Sequence, residues 1–295
     1  MSVVRTLVGA VVMIGTFLLA SPSSAWGEFG HRITAEVALE NVEPATRAKI
    51  ERLLRYSDRL GTPDCALDTL ADAAVWPDCV RRDYWRWGYT AAWHYRTAPI
   101  CEEYDATRNC PGGSCVTGQI ERNKLILSDE SLPPNVRLEA LAFLVHFIGD
   151  VHMPLHSGDR EDRGGNDRRA DYGIVPGLNL HWVWDGPLAE RAITDTNDLV
   201  VRRYSETERA ELGAGDAAEW GRESWQISRE LVYPNAFGIE DVCANEPGEA
   251  TVLSQEAIAA AAPVARRRIR QAGVRMAQVL DEAFAPGALP IPERR

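Results

Sequence analysis

"VHFIGDVHMPLH" at 145–156 and "HWVWD" at 181–185 each place an aspartate four residues after a histidine. On a helix such residues share a face, so His146 with Asp150, and His181 with Asp185, can each close on one ion. Pro154 ends the first of these helices and lets the chain turn, which brings His156 back from a different direction. Imidazole nitrogen and carboxylate oxygen together form a donor set for zinc, with manganese and iron as alternatives. One His-x-x-x-Asp pair would be a weak sign, because a lone helical histidine is more often a packed one. Two pairs plus His156, in a chain whose six histidines almost all lie near carboxylates, point to a metal site. His152 stands apart: two residues after Asp150, it points away from the His146 face and is expected to pack or to bond behind the ligands.

The elements that must hold these residues read as helical. Apolar residues recur at three- and four-residue spacing over 31–42 and 43–57, more strongly over 133–153, and long helices also fit 207–232 and 249–284. Strand signals are few, which predicts an all-α domain with long loops at 58–75, 97–118 and 157–180. There is no internal repeat and no Gly/Ser linker to divide the chain. The Pro-rich end, 286–295, is expected to fray as a flexible tail.

The first residues read as a targeting segment. Arg5 precedes an apolar run from Thr6 to Ala20 that is too short to span a bilayer, and Ser23 and Ala25 suit a signal-peptidase site. Residues 1–25 are therefore expected to be a signal peptide cut after Ala25, giving an exported chain that starts with a free amine on Trp26. Six cysteines in such a chain favour disulfides over thiolate ligands, with fifteen possible pairings. A formal net charge of -11 argues against a protein that coats duplex by neutralising its phosphates. Chemistry on phosphate would need another source of positive charge.

Taken in order, "WGEFGH" (26–31), "VWPDCVR" (75–81), "WHY" (93–95), "HFIGDVHMPLH" (146–156), "GGND" (164–167) and "NLHWVWD" (179–185) resemble the three-zinc, single-strand-specific nucleases known as the type I nuclease family. The resemblance runs from Trp26 to about Cys243. It implies a single-domain, multi-helix phospholipase C/nuclease-like fold over 26–285, with long loops around a trinuclear zinc site.

By the same resemblance, the amine and carbonyl of Trp26 chelate one Zn(2+) with His31, and Asp150 bridges it to a second. That second ion takes Asp78, His94 and His146, and a third takes His156, His181 and Asp185. The implied activity is hydrolysis of single-stranded DNA and RNA to 5′-phosphate products by a metal-activated water, with 3′-nucleotides as further substrates. Asp78 and Asp150 belong to the reacting centre, and Arg81 matches a basic position that contacts phosphate. The chain departs from the family at Thr97, where an acid or amide is common, and this would shift rate, pH optimum or preference.

The resemblance also implies Cys101–Cys243 and Cys110–Cys115, which leaves Cys65 with Cys79 as an extra staple. A secreted or periplasmic monomer without a stable membrane anchor after cleavage follows, and the chain carries no N-glycosylation sequon. Most of the nine tryptophans are expected in the core, and the loop 157–173 is a candidate wall of the substrate cleft.

A zinc-dependent phospholipase C acting on phospholipid head groups is the alternative, since it shares fold and metals. The chain shows no obvious apolar segment for docking on lipid. An exported module with a structural zinc is disfavoured, because three protein ligands in the third set leave a coordination position open.

Overall fold

A computed structural model describes residues 26–194 and 198–287. The expected signal peptide 1–25 and the greater part of the expected tail, 288–295, lie outside the described residues. The first helices are α1 (Glu28–Asn41) and α2 (Pro44–Leu54), followed by the short α3 (Leu70–Ala73), α4 (Trp76–Val80) and α5 (Tyr84–Trp87). Then come α6 (Val116–Ser128), α7 (Pro134–His152), α8 (Leu180–Asp185) and α9 (Pro187–Thr194). After these lie α10 (Glu206–Gly213), α11 (Ala217–Ile227), α12 (Tyr233–Phe237) and the thirty-residue α13 (Gln255–Phe284). The class is all-α, as the periodicity predicts.

The central element is α7. From Ala140 to His152 every residue is buried, so the helix is enclosed on all faces, as an all-round apolar helix must be. Each fully buried Leu, Ile, Val or Phe there contributes about 1.5–3 kcal/mol. Helices α6 and α13 pack on it, and α1 crosses α13 where Gly273 gives room: a Cβ there would stand 2.3 Å from Val37 Cγ1. Two apolar clusters result, one around Phe143, Phe147 and Val151 and the other around Trp26, Met153, Leu155 and Trp184. The histidines and aspartates of interest lie at the seam between them.

Two small parallel sheets tie distant loops together. Strand β1 (Ala98–Pro99) pairs with β2 (Gly158–Asp159), and Arg96 N–H donates to the His156 carbonyl at 2.7 Å. This pairing draws the His94 segment alongside His156. Strand β3 (Arg169–Tyr172) pairs with β4 (Ala250–Leu253). The disulfides are Cys65–Cys79, Cys101–Cys243 and Cys110–Cys115, the set the resemblance implies.

Three helix boundaries differ from the sequence reading. The expected helix 207–232 breaks after Gly213, because Gly215 takes a positive φ of 92° and Asp216 starts α11 with a capping box. The expected helix 249–284 starts later, since 250–253 pair with a strand eighty residues upstream and Ser254 caps α13. Helix α6 begins at Val116 inside the expected loop 97–118, where Cys110–Cys115 and the tertiary contact with α7 hold its start.

Candidate metal centre

Six segments bring the predicted His and Asp ligands to one place. Helix α7 carries His146 and Asp150, and α1 lays His31 across it with the two imidazoles stacked at 4.1 Å. Helix α4 supplies Asp78, the turn before β1 supplies His94, and the single turn at Pro154–His156 supplies His156. Helix α8 supplies His181 and Asp185, and Asn179 caps its start by accepting from Trp182 N–H at 2.7 Å.

The donors form three groups: His31, His146 and Asp150; Asp78, His94 and His146; and His156, His181 and Asp185. Within each, the donor atoms lie within 4.8 Å of one another. His146 Nε2 lies 2.8 Å from His94 Nδ1, and each is 3.2 Å from Asp150 Oδ2. Asp150 Oδ1 is 3.3 Å from His31 Nε2, so one carboxylate faces the first two groups. In the third group His156 Nε2 is 3.2 Å from His181 Nε2, which is 3.1 Å from Asp185 Oδ2. Donors held at 2.0–2.1 Å around a tetrahedral zinc stand about 3.3 Å apart, so these separations suit that ion.

The outer contacts fix which ring nitrogens face inward. His146 Nδ1 lies 2.6 Å from the Ala74 carbonyl, His156 Nδ1 2.6 Å from the His94 carbonyl, and His181 Nδ1 2.7 Å from the Gly164 carbonyl. A carbonyl only accepts, so each Nδ1 carries a proton, and Nε2 is the nitrogen left to face the cluster and to hold a metal. In the third group two such nitrogens face each other at 3.2 Å, a separation that one shared proton or a metal ion can satisfy.

Burial sharpens the point. Neither carboxylate oxygen of Asp150 or Asp185, and neither ring nitrogen of His31, has a well-aimed hydrogen bond, although all three side chains are enclosed. Burying such groups without compensation costs several kcal/mol, roughly, so a bound cation is the fitting partner. Burial pushes Asp185 up to about 6 and His156 down to about 3. At Asp150 burial acts upward too, but the charge of His146 and contacts from His146, His31 and His94 hold it well below the usual carboxylate range. The donor set is compatible with zinc on chemistry and spacing.

Trp26 is the first of the described residues. Its side chain is fully buried, and the next N–H, of Gly27, donates to the Asp185 carbonyl at 2.7 Å. The start of the described chain is thereby tied to the third group. Arg81 reaches Asp78 Oδ1 at 3.0 Å and lines a cavity of about 350 Å³. His94, His156 and His181 form part of that cavity, with Tyr95, Thr97, Leu155, Asp159, Arg163 and Asn166. Three residues of the loop 157–173 thus border this cavity. His152 is buried apart from the ligands, with Nε2 2.9 Å from Arg275.

Several features escaped the sequence reading. The carbonyls of Ala74, His94 and Gly164 orient three imidazoles, and a main-chain acceptor leaves no trace in residue type. Tyr95 and Asp159 also lacked a signal of their own, although Tyr95 adjoins His94 in the chain. Tyr84 and Trp85, both more than four-fifths exposed, also went unnoticed in the sequence. Their neighbours Trp87 and Trp93 fill the core, and one helical turn cannot bury every ring of "YWRW".

The S1/P1 Nuclease family model matches residues 26–285. Endonuclease 3 of Arabidopsis thaliana is 30% identical over 283 residues, covering 90% of this chain and 92% of its own. Nuclease S1 of Aspergillus oryzae is 29% identical, covering 92% of this chain and 96% of its own. Among solved structures, the alpha toxin from Clostridium absonum aligns with a TM-score of 0.49 and 11% identity, over 87% of this chain and 65% of that one.

Proposed function

The chain belongs to the S1/P1 nuclease family, and from that premise we propose that it is a zinc-dependent hydrolase of single-stranded DNA and RNA that leaves 5′-phosphates and also acts on 3′-nucleotides. The observation that carries this reading is the convergence of three His/Asp groups, with buried unsatisfied donors, on a cavity that also receives Arg81 and Arg163. In this reading Trp26, His31 and Asp150 hold one ion, Asp78, His94, His146 and Asp150 a second, and His156, His181 and Asp185 a third. Zinc there supplies a Lewis acid for phosphate oxygens and lowers the pKa of water.

The protein's own groups do the rest. Asp150, an acceptor only when ionised, faces two ligand groups at once and fixes their spacing. Arg81 is oriented by Asp78 and brings a guanidinium charge to the cavity that a phosphate would enter. Tyr95, partly exposed beside His94, offers a ring face to a base that has left its stack. Thr97 lines the same wall and can exchange a hydrogen bond with substrate but brings no charge.

Maturation belongs to the same proposal. Cleavage after Ala25 frees the Trp26 amine, and an amine binds a cation only when deprotonated, so processing completes the site. Three disulfides support an oxidising compartment, secreted or periplasmic. The proposal takes 26–285 as the catalytic unit, 286–295 as a tail and the monomer as the working form. Among the described residues no helix is long and apolar enough to cross a membrane.

The test uses zinc-loaded protein beginning at Trp26, assayed on single-stranded DNA, RNA, 3′-AMP and phosphatidylcholine, each with and without chelator. Chelator-sensitive cleavage of the nucleic acids to 5′-phosphate ends is the expected result. Cleavage of the lipid alone would move the function to phospholipase C.

A further inference from the structure

The stretch "RRDYWRWGYTAAWHY" (81–95) runs out from the candidate site and returns to it, since Asp78 and Arg81 border it at one end and His94 and Tyr95 at the other. Its aromatic rings divide into two sets. Trp87 and Trp93 turn inward onto Phe143, with ring centroids 6.1 and 5.6 Å away, and anchor the segment. Tyr84, Trp85 and Tyr89 turn outward and are 82%, 84% and 63% exposed. Two of them are held in place: the Tyr84 ring lies over Gly88, where a Cβ would meet it at 2.5 Å, and the Tyr89 ring stands edge-on to Trp93 at 5.1 Å.

Single exposed apolar residues need no explanation, but three large rings within six residues form a patch, and such patches mark interaction surfaces. Charge narrows the occupant. The whole chain carries -11, yet this stretch has Arg81, Arg82 and Arg86 against Asp83 alone. Rigid rings interleaved with guanidinium groups are the surface that binds single strands without sequence preference. Four residues span at most about 14 Å of chain, so Trp85 lies within a few stacked nucleotides of Arg81.

We propose that 81–95 is a docking strip for the strand beyond the reacting phosphate, with Tyr84, Trp85 and Tyr89 as base platforms and Arg82 and Arg86 as backbone contacts. This rests on the nuclease reading above and adds to it where a long strand is held. The strip gives a polymer something that a mononucleotide in the cavity does not touch. It accounts for exposed tryptophan in an acidic protein and for the local reversal of charge.

The experiment compares wild type with a Trp85→Ala/Tyr89→Ala variant on a strand of about twenty nucleotides and on 3′-AMP. Expected is a rise of at least about fivefold in KM for the strand, the loss that follows from removing a base–aromatic stack. The kcat on the strand and the hydrolysis of 3′-AMP stay within about twofold, since neither ring borders the cavity. Trp85→Phe/Tyr89→Phe restores the KM, because a phenyl ring still stacks. An unchanged strand KM in the alanine variant overturns the proposal. So does a variant that keeps its strand KM but loses binding to phosphatidylcholine vesicles, which would make the patch a lipid-docking surface. A wild type that cleaves neither substrate refutes the nuclease reading instead. The strip is then judged by anisotropy of a labelled strand, where equal affinity of wild type and variant overturns it.

Discussion

His31 occupies the space that a side chain at position 149 would need: a Cβ on Gly149 would stand 2.6 Å from His31 Nδ1. The glycine precedes Asp150 on α7, so the close approach of α1 to α7 and the position of one proposed ligand depend on the same missing methyl group.

Gly149→Ala tests this relationship. In an exposed helix the change would stabilise by about 1 kcal/mol, but here it must push the His31 ring away from Asp150. The expected outcome is loss of about one metal equivalent per chain by elemental analysis, and at least about a tenfold fall in activity, in the range seen when a ligand's support is removed. Unchanged metal content with a raised Tm would show that His31 is not held by this contact.

Metal removal should read out in stability as well as in activity. The enclosed donors of His31, Asp150 and Asp185 have no well-aimed hydrogen bonds to replace an ion. Chelation is therefore expected to lower Tm by about 5–10 °C for each site kept well saturated, and zinc should restore it. A Tm insensitive to chelator and zinc would argue that the clusters do not bind metal.

Asp150 separates a metal role from a structural one. His146→Ala, Asp150→Ala and His181→Ala are each expected to abolish activity, and the near-isosteric Asp150→Asn should do the same while folding. With metal removed, His146, His31 and His94 still hold the ionised Asp150 below the usual carboxylate range, so the chelated Asp150→Asn protein should melt below chelated wild type. Full activity of Asp150→Asn would remove the carboxylate from the reacting centre.

A charged network away from the ligands controls acid stability. Glu223 on α11 receives Arg275 at 2.6 and 2.8 Å and Arg268 at 2.5 Å from α13, and Arg268 also donates to the His152 carbonyl at the end of α7. Burial acts to raise the Glu223 pKa, but the hydrogen bond from Arg275 and the two guanidinium charges lower it overall. A depressed folded-state pKa contributes stability above the unfolded value of about 4.3 that is lost as pH falls through the folded one. Glu223→Gln should thus cost about 1–3 kcal/mol at pH 7, the half-buried position tempering the range for a buried pair. Urea melts at about pH 3.5 should show a smaller gap between variant and wild type. An equal gap at both pH values would place the effect in packing.

The spacing of histidine and aspartate in "HFIGDVH" and "HWVWD", the apolar period of α7 and the six cysteines behind a signal-like N-terminal segment were enough for an all-α protein with disulfides and clustered metal-type donors. Those properties are local: helical repeat, side-chain chemistry and residue count operate within a few residues of chain. Where α6 begins, why 207–232 breaks and which cysteines pair were decided by partners distant in sequence, such as β3 for β4 and Cys243 for Cys101. The outer half of the metal centre was equally invisible, because the Ala74, His94 and Gly164 carbonyls belong to every residue type alike and acquire a role only when packing aims an imidazole at them. The expectation that most tryptophans are core could not say which stay out: Trp87 is inside because it packs on Phe143, while Trp85 is exposed.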